Sequence, residues 1–296
     1  MRLRVLSVFG LASLQDGGRF GYRGFGVPVG GAFDQESYRL ANALVGARLD
    51  STEVEFALGT MEMEALDDGC MAVVGACGSV LIDGVDQGGG VRFSFRAGAK
   101  VTVTPPKSGL RSYVALPGGV VCRQVLGSSS GVVIEAGSVL ESVAEAWPVR
   151  MKRLSEPPGS MRERPLRVVL HDDDDGAWTG AEYTVGRNID RVGLRFDGPK
   201  PMVDARSGTS EPSVFGAVQV TEDRTLIVHG PDGPTIGGYR KLACVVRADL
   251  DRVGQLAPGD RVRFVACSLS DAHVAWREET QRVAESLARV ALVGNT

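Results

Sequence analysis

Short runs rich in Val, Ile, Phe and Thr, each closed by Gly, Asp or Pro, recur along the chain. They are Ala72 to Val74, Val80 to Ile82, Val91 to Phe95, Lys100 to Thr104 and Ser112 to Leu116, then Leu166 to Leu170, Leu226 to His229, Leu242 to Arg247 and Arg261 to Ala266. Punctuation at this spacing leaves little room for helices and marks strands joined by tight turns. Glycine supplies many of the turns, at 39 of 296 residues against a usual ~7%. Two helices are predicted. Asp34 caps one running to Val45, with Tyr38, Ala41, Leu44 and Val45 on one face and Gly46 beyond its end. Ser270 caps a C-terminal one in which Trp276, Val283, Leu287 and Val290 share a stripe. Both stripes suit a core, and the fold class is mainly β.

With 33 Lys and Arg against 36 Asp and Glu, the formal charge is −3, and the basic stripe that a nucleic acid demands is missing. A composition 43% apolar and 23% charged is that of a globular protein. No window approaches the ~20 apolar residues of a membrane span. The stretch from Met1 to Leu14 imitates a signal peptide, but Ser7 and Gly10 interrupt it and Gln15-Asp16 follow at once; a first strand is the better reading. Cys70, Cys77, Cys122, Cys244 and Cys267 are odd in number, form no CxxC and sit mostly in apolar stretches, as reduced core residues of a cytoplasmic protein would.

From Glu145 to Pro165 the chain carries Pro148, Pro157, Pro158, Pro165 and Gly159 with few apolar residues, the composition of a linker. On either side, Arg19-Phe-Gly-Tyr-Arg-Gly-Phe-Gly26 and Arg191-Val-Gly-Leu-Arg-Phe-Asp-Gly198 share Arg-x-Gly-x-Arg-x-x-Gly. Each half later reaches a glycine turn and a strand, Ala97 to Val103 and Pro258 to Phe264. The matching order predicts two related β units, residues 1–145 and 167–296, about a linker at 146–166.

Several chemical signatures are weak or absent. No GxxxxGKS or GxxxxGKT is present, and Gly24-Phe-Gly26-Val-Pro-Val-Gly30 misses the last glycine of GxGxxG by one position. Gly127-Ser-Ser-Ser-Gly131 satisfies GxSxG, but strand-like Val132-Val-Ile134 follows where a nucleophile elbow needs a helix; a polar turn is the better reading. His171-Asp-Asp-Asp-Asp-Gly176 lacks the alternating ligands of a calcium loop and reads as a solvated turn. His229 and His273 have no partners in sequence for zinc, and no metal site is expected. Met151-Lys152 is similar to a biotin-attachment Met-Lys-Met, but it lies in the linker between Arg150 and Arg153.

Two segments stand apart. Gln15 to Asp34 packs glycines around Arg19, Tyr22 and Arg23, and Gly230 to Tyr239 places Asp232 and Thr235 ahead of a Gly-Gly-Tyr turn. Glycine lets a backbone approach a ligand and present N–H groups, while arginine forks bind carboxylate or phosphate.

These residues and their flanks carry a resemblance. Leu14-Gln-Asp-Gly-Gly-Arg-Phe-Gly-Tyr22, Gly26-Val-Pro28, Gly31-Ala-Phe-Asp34, Leu40-Ala-Asn-Ala-Leu-Val-Gly46, Glu53-Val-Glu55, Tyr113-Val-Ala-Leu-Pro-Gly-Gly119 and Leu126-Gly-Ser128 occur in the first half. Asp190-Arg-Val-Gly-Leu-Arg195, Ser210-Glu-Pro212, Gly216-Ala-Val-Gln219, Thr235-Ile-Gly-Gly-Tyr239, Ala248-Asp-Leu250 and Gln255 to Asp260 follow in the second. In this order they resemble the biotin-dependent carboxyltransferase or KipA family, which includes the C subunit of 5-oxoprolinase and the second subunit of allophanate hydrolase. The resemblance implies a mainly β fold of cyclophilin-like barrel units, in two pseudo-repeated halves with few helices.

It also implies a function: the C subunit of an ATP-dependent 5-oxoprolinase, acting on a small amide substrate. Its implied partners are a B subunit of the KipI type and, beside it, an A subunit of the LamB/YcsF type. The alternatives are a carboxyltransferase subunit of the urea carboxylase or allophanate hydrolase type, and a non-catalytic antagonist of KipI. No cofactor is expected to be bound covalently, ATP or carboxybiotin being supplied with the partner subunits. Both reactions develop charge on an amide or carboxylate oxygen, which arginines and backbone N–H groups stabilise. The expected catalytic set is Arg19, Tyr22, Arg195 and Tyr239. The catalytic four are expected to line a common cleft, and the expected substrate-binding set is Asp16, Arg23, Asp34, Arg191, Ser210, Glu211, Asp232, Thr235, Gly237 and Gly238. Val29, Ser129 and Pro234 stand where the family usually has Arg, Arg and Gln.

Overall fold

The structure is a computed structural model that describes residues 1–145, 151–159, 164–203 and 206–292. Among these, one sheet contains β1 (Arg2–Gln15), β2 (Glu53–Ala65), β3 (Gly69–Gly75), β4 (Val80–Ile82), β5 (Val85–Asp86), β6 (Val91–Phe95), β7 (Lys100–Val103), β8 (Arg111–Ala115), β9 (Val132–Val133), β10 (Val139–Glu141) and β11 (Lys152–Arg153). The other contains β12 (Leu166–Leu170), β13 (Glu182–Ile189), β14 (Gly193–Asp197), β15 (Arg206–Pro212), β16 (Ala217–Val220), β17 (Leu226–His229), β18 (Ile236–Val245) and β19 (Arg261–Ala266). Three α-helices complete the described residues: α1 (Gln35–Leu44), α2 (Leu250–Gln255) and α3 (Leu269–Leu292).

The first sheet is organised on β2. β1 runs antiparallel along its full length, while the other edge pairs first with β8 and then with β7. Leu3, Val5, Met61, Met63, Val101 and Val103 alternate inward and fill the curl. Register shifts between Val5 and Ser7 and between Phe9 and Leu11 bend the β1–β2 ribbon. Gly59 makes the second bend possible: at φ 151° it lies so close to β1 that an added Cβ would sit 1.6 Å from the Phe9 carbonyl oxygen.

The second sheet closes. From β12 the order runs through β19, β13, β14, β17 and β16 to β18, which pairs back onto β12. Seven strands thus form a barrel, with β15 as an outer flap on β18. Phe264 is its aromatic centre, with Trp178, Tyr183 and Phe196 at ring distances of 5.4, 5.7 and 5.3 Å.

The first-strand reading of the N-terminus is met by β1, and five of the expected runs are strands with the expected bounds: β4, β6, β12, β17 and β19. The Asp34 cap is present, its carboxylate accepting the Ser37 N–H at 3.0 Å, and Gly46 follows the helix at φ 71°. The cap of α3 is Ser268 rather than Ser270: its hydroxyl accepts the Asp271 N–H at 3.1 Å, while the Asp271 carboxylate accepts the Ser268 N–H at 3.2 Å. The two Arg-x-Gly-x-Arg segments occupy different settings, the first in the loop after β1 and the second across the β13–β14 turn. Of the expected linker, 146–150 and 160–163 lie outside the described residues, and Lys152–Arg153 pairs with β6 as an edge strand of the first sheet.

Phe33 and α3 tie the halves together. Phe33, fully buried, leaves the first half to join the barrel core, edge-on to Phe215 at 5.3 Å and under the Arg111 guanidinium at 4.2 Å. α3 returns from the barrel to α1, where Arg282 forks onto Glu36 at 2.8 and 2.6 Å and Val290 joins the cluster of Leu40 and Leu44.

Candidate active site

The seam between the halves is built from the loop at 16–34, the β13–β14 turn and the loops at 213–216 and 230–235. Four donors hold the Asp16 carboxylate, all of them neutral: Gly18 N–H at 2.8 Å, the Ser128 hydroxyl at 2.6 Å, and the Ser129 N–H and hydroxyl at 2.7 and 3.0 Å. Gly127 to Gly131 is therefore a buried serine cage around Asp16, not a nucleophile elbow, and β9 follows it. Ser129 also meets the Thr52 hydroxyl at 2.6 Å, so its side chain is sealed between Asp16 and Thr52. Arg19 donates to the Ser130 carbonyl at 2.6 Å, and its own N–H reaches the Val29 carbonyl at 2.8 Å.

Farther along the loop, Tyr22 leads a 3-10 turn at Arg23–Phe25, from which the Arg23 guanidinium crosses to the Ser213 carbonyl of the second half. Phe20 and Phe25 on the same loop are 73% and 83% exposed.

Arg191 closes the seam from the other side. Its guanidinium donates to Glu55 at 2.7 Å, to both oxygens of Asp232 at 2.8 and 3.0 Å, and to the Gly31 carbonyl at 2.6 Å. Gly30 N–H meets the Pro231 carbonyl at 3.1 Å beside it. Burial opposes the Arg191 cation, but the Glu55 and Asp232 carboxylates overcome this and hold its pKa above that of a free guanidinium. Burial likewise works against the Glu55 anion, yet Arg191 and Arg111 keep its pKa below the usual carboxylate range. Glu55 also accepts the Tyr113 hydroxyl and the Phe33 N–H, each at 2.9 Å. Glu55 thus gathers an arginine from each half.

The remaining predicted residues lie on the barrel wall, on its β15 flap and at the end of the loop at 230–235. Glu211 pairs with Lys241 at 3.1 Å, and Ser210 is exposed beside it on β15. The Thr235 carbonyl accepts the Ser213 N–H at 3.0 Å. Gly237 lies against Gln219, whose amide nitrogen would be 2.9 Å from a Cβ placed there, and Gly238 leads to the half-exposed Tyr239. Arg195 is exposed, in one cross-strand row with Ile227, Gln219 and Lys241. Asp16 and Arg19 thus meet through the serine cage, Arg23 meets Ser213, which is itself bonded to Thr235, and Arg191 meets Asp232. Asp34 is committed to capping α1. No side-chain hydrogen bond among the described residues joins Arg195 or Tyr239 to Arg19 or Tyr22.

Sequence reasoning passed over Glu55, Ser213 and Gln219, and weighed His229 only as a zinc ligand. Glu55 and Gln219 stood inside quoted motifs; Ser213 follows one, and no local signal marks His229. A cavity of about 290 Å³ between α1, α3 and residues 152–157 shares none of the seam residues. There the Lys152 ammonium donates to the Val290 carbonyl, a setting that does not fit a biotin-bearing lysine. His171 pairs with Asp173 at 2.7 Å on the surface, and Asp174 receives Gly176 N–H and the Trp178 indole, both at 2.9 Å, as a turn does. No helix among the described residues is long and apolar enough to cross a membrane.

Comparison with known proteins places this seam in a wider context. The chain is 30% identical to the C subunit of 5-oxoprolinase from Escherichia coli (strain K12), over 97% of each protein. It is 28% identical to the urea amidolyase of Saccharomyces cerevisiae, over 86% of this chain but 16% of that protein. The crystal structure of TTHA0988 superposes with a TM-score of 0.82 at 32% identity, over 89% of this chain and 56% of that one. The urea amidolyase of K. lactis shares the fold at a TM-score of 0.84 and 24% identity, over 96% of this chain and 20% of that one. The chain therefore spans about half of TTHA0988 and a fifth or less of these urea amidolyases. The family model described as carboxyltransferase domain, subdomain A and B, matches residues 25–266, across both halves and the seam between them, and the chain belongs to that family.

Proposed function

We propose that this chain is the C subunit of an ATP-dependent 5-oxoprolinase in the cytoplasm, opening 5-oxoproline to glutamate. It would do so together with a KipI-type partner, the B subunit, and with a LamB/YcsF-type partner, the A subunit. The observation that carries this reading is the likeness to the E. coli protein over 97% of both chains. The seam supports it chemically. Lactam opening places charge on the amide oxygen and then on a new carboxylate, which Arg19, Arg23 and the N–H groups of a glycine-rich loop suit. ATP comes with the partner subunits, and exposed Phe20 and Phe25 offer a partner an apolar anchor. The test is ATP-dependent glutamate release from 5-oxoproline by the chain alone, with the KipI-type partner, and with both partners together. Activity is expected only in a mixture with partners; turnover by the chain alone, or an inactive full mixture despite complex formation, overturns the reading.

The yeast urea amidolyase likeness supports a second reading, a biotin-dependent carboxyltransferase subunit, for which carboxybiotin would replace ATP as the donor required. The sealed Ser129 supports a third, a non-catalytic antagonist of KipI, for which binding to KipI without turnover is the mark.

A further inference from the structure

Three segments meet at Ser213. Its N–H donates to the Thr235 carbonyl at 3.0 Å, its carbonyl accepts the Arg23 guanidinium, and its hydroxyl lies 2.6 Å from Nδ1 of His229. Every polar atom of this 1% exposed residue is used, each by a different segment: the loop at 230–235, the glycine-rich loop of the first half and the end of β17. His229 is 6% exposed, and its Nε2 makes no hydrogen bond among the described residues. The next residue begins Gly230-Pro-Asp-Gly-Pro-Thr235, whose Asp232 holds Arg191. The other histidines stand elsewhere: His171 is on a surface turn and His273 is exposed on α3.

The surroundings disfavour the charged form of this imidazole. Burial first, and then the Lys241 ammonium of β18, lower its pKa. The charged groups around it are Lys241 and its partner Glu211 of β15, Arg23 through Ser213, and the Arg191–Asp232 pair flanking Gly230. In the tautomer whose Nδ1–H donates to the Ser213 hydroxyl, a neutral imidazole is free to take and return a proton at Nε2.

We propose that His229, oriented by Ser213, is the proton carrier for the nitrogen of the lactam or amide substrate taken up at this seam. The proposal rests on the amide-opening reading above. When water opens a lactam, a C–O bond forms, the C–N bond breaks, one proton leaves the water oxygen and one reaches the departing nitrogen. Nε2 of neutral His229 accepts the first and returns it as the second, so the ring ends as it began. His229 is then a catalytic residue and Ser213 a positioning residue. The class of ligand is a small cyclic or open amide.

Two arms test this on the full chain. In the first, NMR follows the His229 ring resonance, assigned by its loss in His229→Gln, through a pH titration with and without 5-oxoproline; its apparent pKa should move on addition. In the second, the complex with both partner subunits is assayed across pH. His229→Gln should lower kcat about 10²- to 10⁴-fold with a smaller change in KM, and Ser213→Ala should shift the acid limb of the profile. The apolar pair Ser213→Val with His229→Leu controls for packing: if it folds and keeps wild-type kcat and acid limb, the proposal is overturned. If the wild-type complex releases no glutamate, the function reading fails, and the NMR arm decides this proposal alone: a shift sustains an amide-sensing His229, and an unmoved titration overturns it.

Discussion

Arg191 of the second half holds Glu55 of the first, Nη1 to Oε1 at 2.7 Å, at a point where the carboxylate is only 4% exposed. The pair spans the seam, and Asp232 and Arg111 share it. Removing one partner leaves a charge in low dielectric, so Arg191→Ala should cost about 3–5 kcal/mol of stability. Arg191→Lys, which keeps the charge but loses the fork onto Asp232, should fall between it and wild type. Urea unfolding midpoints measure both, and a loss under about 1 kcal/mol for the alanine variant would place the pair among weak surface bridges.

Phe33 makes a second, apolar prediction. Its ring is fully buried in the core of the half to which it does not belong, and Phe33→Ala should cost about 3–5 kcal/mol. Because the cavity opens at the seam, limited proteolysis should cut the variant between the halves before it degrades either; uniform degradation would contradict this.

Glu53 predicts a pH effect. Neither carboxylate oxygen has a hydrogen-bond partner among the described residues, and burial, followed by the Glu55 charge, raises its pKa well above the ordinary value. A carboxyl whose folded pKa is raised contributes full stability below its unfolded pKa, and that stability is lost as pH rises through the folded pKa. Glu53→Gln should therefore match wild type at about pH 4 and exceed it at about pH 8. Asp34 and Asp251, whose pKa values burial also raises, leave a residual slope of the same sign in both proteins. Parallel unfolding curves at the two pH values would refute the assignment.

Gly59 is a steric prediction. With a Cβ position 1.6 Å from the Phe9 carbonyl oxygen and φ at 151°, Gly59→Ala must push β1 from β2 and should cost roughly 3 kcal/mol. Amide exchange should quicken along β1 and β2 and not in the barrel. A variant with an unchanged melting temperature would show that the ribbon adjusts freely.

Much of this architecture is local and was therefore readable. Asp34, Ser37 and Gly46 announce α1 through capping chemistry, and strands such as β6 alternate inward and outward as their residues dictate. β2 escaped because Glu53 and Glu55 look like surface residues but are buried by tertiary pairing. Barrel closure was legible only through the family resemblance and not from local pattern, because β12 and β18, far apart in sequence, meet only after the chain has folded. The site divides in the same way. Glycine-rich loops carrying Arg19 and Arg23 show in sequence, whereas the Glu55 partner of Arg191 lies 136 residues away and the hydroxyl that orients His229 belongs to a different strand connection.

The return of α3 to α1 has a consequence during synthesis. Domains generally fold as they leave the ribosome, N-terminal first, but α1 here meets Arg282, Leu287 and Val290 only after the whole barrel has emerged. The first half must wait, with one side of its helix uncovered, until the second half is complete. A nascent chain stalled before Leu269 should bind chaperones through α1 and release them once α3 is translated, and equal chaperone binding before and after that point would show that the two halves mature independently.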